Sequence, residues 1–181
     1  MNSDNHFMLQ VKKGQIDKLG ILFERYKDPL FSYFYRNTGK QISSEDLVQT
    51  VFWRVLKYRH TFNEAGTFST WIYRIAHRLL IDLWRTNNKQ NPDFDNLPDT
   101  YTSENPTAEE NLLTDESLKL LSKAMEYLNA AAREILIMSK YQNLKYREIG
   151  EILDCSEGAV KVRIFRALQE LKVIYKKLEG K

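Results

Sequence analysis

Lys161, Arg163 and Arg166, with Phe165 among them, have types and spacing that suit a chemical task. Cations on the outer face of a helix can neutralise phosphates. Their N–H groups can also donate to guanine edges when the helix lies in a major groove. Ser156 stands just upstream as an N-cap residue, and Glu157 suits a first turn, where the helix dipole favours negative charge. A solvated surface helix would also carry cations, so the preceding residues matter. Ile149, Ile152 and Leu153 share one helical face, and Val160, Ile164, Ala167, Leu168 and Leu171 share another. Between them, Asp154 tolerates the backbone angles of a tight turn. Gly150 faces that turn and lets two helices cross closely. Tyr146 to Leu171 therefore reads as a helix-turn-helix whose second helix presents the cations.

Two further groups stand out upstream. Asp46, Gln49 and Trp53 fall on one helix face at i, i+3 and i+7, away from the apolar stripe of Leu47, Val48, Val51, Phe52, Val55 and Leu56. An exposed Trp beside an Asp and a Gln suits a protein-binding surface. Ser43-Ser44-Glu45-Asp46 reads as the start of that helix. Arg74, Arg78 and Arg85 align at i, i+4 and i+11 on a helix expected from about Phe68 to Thr86. Asp82 can pair with Arg78 or Arg85, which still leaves more cations than partners.

Other chemistry finds little support. His6, His60 and His77 are scattered and have no metal-ligand spacing, and Cys155 is alone, expected as a small buried apolar residue. Neither a glycine-rich phosphate loop nor a nucleophile elbow occurs. The expectation is a protein that is not an enzyme, with no cofactor, no metal and no small-molecule substrate. No apolar run reaches the ~18 residues of a membrane span, and the N-terminus lacks a signal-peptide pattern, so a cytoplasmic protein without direct membrane insertion is expected.

With seven glycines and four prolines in 181 residues, the chain lacks the turn punctuation of a multistranded sheet and reads as all-α. An apolar cluster at Phe7 to Val11 ends at Lys12-Lys13-Gly14. Ile16 to Tyr26 then keeps helical phase, Asp28-Pro29 is expected to bend or restart the helix, and Thr38-Gly39 suits a C-cap. Thr61 to Thr67 reads as a loop. From Asn87 to about Pro106 the pattern collapses into Asn, Asp, Pro and Thr, a linker. Helical phase returns at about Glu109 and runs through Leu112, Leu118, Leu121, Met125 and Leu128, followed by Arg133, Ile135, Leu136 and Met138. Charge follows the same divisions. Residues 1–90 carry net +6, residues 91–118 net −8 and residues 119–181 net +5 within an overall +3. The expected architecture is two small helical domains, 1–89 and 110–181, joined by an acidic flexible linker, 90–109. The basic blocks suit a polyanionic partner.

These segments resemble the bacterial RNA polymerase sigma factors of the sigma-70 family, within it the small extracytoplasmic-function (ECF) group. Glu45-Asp46-Leu47-Val48-Gln49-Thr50-Val51-Phe52 looks like the helix that docks on the polymerase clamp. Phe68-Ser69-Thr70-Trp71-Ile72-Tyr73-Arg74-Ile75-Ala76, then Ile81-Asp82-Leu83-Trp84-Arg85, looks like the −10 region, and Tyr146 to Leu171 like the −35 reader. The resemblance implies that Asp46, Gln49 and Trp53 bind core RNA polymerase. It implies that the loop Thr61 to Thr67, with Asn63, Thr67 and neighbouring Phe68, holds a base flipped from the −10 strand. Arg74, Arg78 and Arg85 would track its phosphates. Ser156, Glu157, Lys161, Arg163, Phe165 and Arg166 would contact −35 DNA. The implied partners are core RNA polymerase, promoter DNA and an anti-sigma factor. Three departures stand out: Thr50 replaces an acidic residue, Asn129-Ala130 replaces Leu-Pro, and Ala159 replaces a common Thr. A stand-alone helix-turn-helix regulator would leave Glu45–Phe52 and Phe68–Arg85 unexplained. A helical interaction protein would bind no promoter.

Overall fold

The computed structural model describes residues 3–63, 65–90 and 116–180, and these are helical with short connections. In chain order the helices are α1 (Ser3–Lys12), α2 (Lys18–Thr38), α3 (Gln41–Lys57), α4 (Phe68–Gln90), α5 (Glu116–Glu126), α6 (Ala130–Lys140), α7 (Tyr146–Ile152) and α8 (Glu157–Glu179). A single 3-10 turn, Arg59–Thr61, follows α3. No strand occurs among the described residues. The body of the expected linker and the helical phase from Glu109 to Asp115 lie outside the described residues. Asn87 to Gln90, expected to open the linker, belong instead to α4.

Several boundaries follow from local chemistry. Gly39 ends α2 in the left-handed region at φ 68°, where its N–H donates to the Tyr35 carbonyl at 2.7 Å. A residue without a side chain adopts that angle at little cost. Pro29 does not restart the helix. The chain stays helical through it, with Leu30, Tyr33 and Phe34 buried on one face, so core packing outweighs the lost hydrogen bond. The third helix begins at Gln41, ahead of the expected Ser43-Ser44 start. Ser44 is buried, and its hydroxyl donates to the Lys40 carbonyl at 2.6 Å rather than capping the helix.

The α1–α4 helices share a core of Met8, Val11, Leu22, Leu30, Phe34, Val51, Val55, Phe62, Phe68, Ile72 and Leu80. The α5–α8 helices bury Leu128, Ile135, Leu136, Ile137, Met138, Ile149, Val160 and Ile164. The two groups touch, α2 against α6 and α4 against α7, and one apolar cluster runs through both. Asn129 explains how its departure from Leu-Pro is tolerated: its side-chain oxygen accepts from the Ala132 N–H at 2.9 Å and caps α6.

Candidate nucleic-acid interface

The helix-turn-helix forms as its residues require. Asp154 takes φ 53° in the turn between α7 and α8. A Cβ on Gly150 would stand 2.6 Å from the Cys155 carbonyl oxygen, so the crossing depends on glycine. Ser156 caps α8 by accepting from the Ala159 N–H at 3.1 Å. That bond uses only the backbone of Ala159, so the departure from Thr leaves the helix start intact. Cys155 is half-buried, and Arg163 Nη1 lies 3.7 Å from its sulfur.

The outer face of α8 is open. Lys161, Arg163, Phe165 and Arg166 are exposed, Phe165 by 63 %. Glu157 pairs with Lys161 at 2.8 Å. That hydrogen bond, then the carboxylate's charge, raises the lysine pKa and keeps the ammonium protonated. The pair faces solvent, so its contribution to stability is small. Leu168 was expected in the apolar stripe but is 40 % exposed. The buried row narrows to Val160, Ile164 and Ala167, with Leu168 beside it. With Val162, also exposed, it adds apolar surface next to the cations.

On α3, Asp46, Gln49 and Trp53 face solvent while Val48, Val51, Phe52 and Val55 pack inward. Trp53 is 58 % exposed, and Lys57 Nζ lies 4.6 Å from its ring centroid. Thr50, in place of an acidic residue, turns its hydroxyl to the Asp46 carbonyl at 2.8 Å.

The loop before α4 is held from two directions. Thr67 Oγ1 accepts from the Thr70 N–H at 3.1 Å. From α1, Asn5 accepts the Phe68 N–H at 2.7 Å and donates to the Gly66 carbonyl at 2.9 Å. Sequence reasoning missed Asn5. It is remote in the chain, and its only local signal is an amide on a partly apolar helix. Asn63 is exposed and accepts from the Ala65 N–H at 3.2 Å, while Thr67 is partly buried. The Phe68 side chain, expected at the flipped base, does not face solvent. It is fully buried, with ring contacts to Tyr26, Phe62 and Trp71. Its ring anchors the loop to the core instead.

The arginine row splits. Arg78 and Arg85 are exposed. Arg74 is partly buried, and its Nε and Nη2 donate to the Glu151 carbonyl at 3.2 and 2.5 Å. Asp82 pairs with Arg54 on α3 at 3.4 Å rather than with Arg78 or Arg85. The row therefore keeps its surplus of positive charge. Glu151 of α7 approaches both Arg74 and Gly66 of the loop, while the α8 cations face solvent.

Comparison with known proteins accounts for both regions. Sigma-70 region 2 matches residues 22–90, and Sigma-70, region 4, matches residues 118–171. The chain is 32 % identical over 174 residues to the ECF RNA polymerase sigma factor SigW of Bacillus subtilis, covering 90 % of this chain and 91 % of that protein. It is 30 % identical over 159 residues to the RNA polymerase sigma factor SigZ of the same organism, covering 88 % and 86 %. The fold is similar to that of CnrH, solved with the cytosolic domain of CnrY, with TM-score 0.73 at 20 % identity, covering 97 % of this chain and 99 % of that one. It is also similar to RpoE of Bartonella quintana, solved with the anti-sigma factor NepR, with TM-score 0.68 at 21 % identity over 91 % and 98 %. The chain belongs to the sigma-70 family, in its ECF group, and is a factor that directs RNA polymerase to promoters.

Proposed function

We propose that this sigma factor divides its work between two domains, 1–89 and 110–181, joined by the segment 90–109. Asp46, Gln49 and Trp53 on α3 dock on core polymerase. The loop carrying Asn63 and Thr67 receives a base extruded from the −10 strand, and Arg74, Arg78 and Arg85 follow the phosphates. Extruding a base costs a few kcal/mol, which phosphate and loop contacts offset. The α8 helix start at Ser156 and Glu157, with Lys161, Arg163, Phe165 and Arg166, reads −35 DNA. Each contact alone is weak. Tethering both to one enzyme makes the second effectively intramolecular, so modest affinities suffice. The acidic segment, repelled by DNA, follows a basic channel of the polymerase. The chain makes and breaks no covalent bonds and works in the cytoplasm. Proteins of like fold are solved with CnrY and with NepR, and an anti-sigma factor is the corresponding partner here.

The observation that supports the −35 assignment most directly is the solvent-facing row on α8, immediately after a capped helix start. Core polymerase with the purified chain should start transcripts on genomic fragments where core alone does not. The Arg166→Ala variant should weaken −35 protection by about 1–3 kcal/mol if the guanidinium reads a base, with −10 protection retained. An undiminished −35 footprint in that variant removes Arg166 from the reading face.

A further inference from the structure

Helix α1 grips the loop ahead of α4 at both of its ends, through main-chain atoms of the loop. Lys12, in the last turn of α1, donates from Nζ to the Phe62 carbonyl at 2.6 Å. About two helical turns upstream on the same face, Asn5 accepts from the Phe68 N–H at 2.7 Å and donates to the Gly66 carbonyl at 2.9 Å. None of these contacts is local: they join residues 50, 61 and 63 positions apart. Phe68 opens α4, and the amides of a first turn have no partner within their own helix. Asn5 supplies one from another helix.

The gripping helix is itself fixed. Met8 and Val11 are fully buried. Asp4, next to Asn5, accepts from the Tyr26 hydroxyl at 2.9 Å and pairs with Arg25, both on α2. The position of the core is therefore passed to the loop backbone. Between the two grips, Asn63 and Ala65 are exposed. A loop that receives an extruded base loses conformational entropy on capture unless its backbone is already set. Grips on the main chain set the backbone and leave the Asn63 side chain facing solvent.

We propose that Asn5 and Lys12 are positioning residues for opening of the −10 element. They hold the loop backbone at Phe62, Gly66 and Phe68 in the shape that receives a base. This rests on the reading of that loop as the base pocket. Helix α1 lies upstream of residues 22–90, which match Sigma-70 region 2, so the grip adds to what that segment supplies by itself. Both side chains act through the loop rather than on the base.

The test uses the full chain as Asn5→Ala, Lys12→Met and the double variant, with Lys12→Arg as the rescue. Ala and Met suit a helix, and circular dichroism checks that helix content is kept. In the free chain, amide exchange read by NMR should speed up at Phe68 about threefold to tenfold in Asn5→Ala, as loss of one hydrogen bond predicts. The Ile72 amide, inside α4, should not change. With core polymerase, on a genomic fragment that the parent transcribes, permanganate reads unpaired thymines around the −10 element. The double variant should open it about threefold to tenfold less, with −35 protection and co-purification with core retained. Lys12→Arg, which keeps a cationic donor, should open it as the parent does. On the same fragment with mismatched, already separated −10 strands, the double variant should initiate at the parent level, because base capture no longer has to offset strand separation. A variant that merely loosened the fold would fail on both templates. An unchanged Phe68 amide in Asn5→Ala, parent-like opening by the double variant, or an equal defect on the mismatched template overturns the proposal. Asn63→Ala separates the grip from the pocket reading. A defect there with parent-like Asn5 and Lys12 variants leaves the pocket and removes the grip. A defect in the Asn5 and Lys12 variants with parent-like Asn63→Ala supports the grip and removes Asn63 from the pocket.

Discussion

Gly150 shows how one atom decides a binding motif. An added Cβ would meet backbone, the Cys155 carbonyl oxygen at 2.6 Å, and backbone has little room to retreat. Gly150→Ala should therefore spread the turn, costing about 1–3 kcal/mol as overpacking does. Thermal unfolding should fall and the −35 footprint should weaken together. Gly20 on α2 is the internal control, since a Cβ there meets nothing within 4 Å. Gly20→Ala should stabilise the helix by about 0.5–1 kcal/mol by reducing backbone freedom in the unfolded chain. Equal melting temperatures for both variants would mean that the close approach at Gly150 does not require glycine there. Ser156 acts at the same scale, through one hydrogen bond that sets where α8 begins.

Helix α3 is the element with two separate tasks. Its inner stripe of Val48, Val51, Phe52 and Val55 holds the N-terminal helices together. Its outer face carries Asp46, Gln49 and Trp53 with no core role. Substitutions on the two faces should therefore behave differently. Trp53→Ala, at a residue 58 % exposed, should leave the melting temperature within a degree or so of the parent. It should nonetheless cost about 2 kcal/mol or more in co-purification with core polymerase, as buried aromatic anchors of interfaces do. Asp46→Ala and Gln49→Ala should give smaller losses of the same kind. Parent-like pull-down by all three variants would remove this face from the polymerase contact.

At the scale of the molecule, buried tyrosines link the fold to alkaline pH. Burial raises the pKa of Tyr33 well above the ordinary value, and the charge of Glu134 adds to it. Tyr73 is raised mainly by burial. Tyr26 is raised by burial and then by its hydrogen bond to Asp4. Each phenol keeps its proton in the folded chain at pH values where the unfolded chain has begun to lose it. The unfolded state therefore binds fewer protons above pH ~10, and stability falls as pH rises beyond that point. The stability these groups contribute is fully present below the ordinary tyrosine pKa. The melting temperature should hold up to about pH 9.5 and drop above it, and Tyr33→Phe should flatten the drop. A parent whose melting temperature is level up to about pH 11 would contradict this account.

Local chemistry was readable from the residues themselves. The helical phase of Val160, Ile164 and Ala167, the Ser156 cap, the left-handed Gly39 and Asp154 and the close crossing at Gly150 depend on neighbours a few positions away, so pattern and residue type suffice. The faces of α3 and α8 were legible for the same reason, since spacing alone sets which residues share a side. The extension of α3 to Gln41 was not, because Ser44 answers to packing, and α4 also runs on to Gln90. Tertiary structure alone decided that Phe68 turns inward, that Asp82 takes Arg54 from 28 residues away and that Asn5 closes the loop at Phe68 from 63 away. It alone joined Tyr33 to Glu134 across 101 positions. Periodicity states that a helix has an inner face, but not which distant side chain will meet it. A polar group can satisfy its hydrogen bonds with any partner the fold delivers, so the partner is settled only when the helices pack.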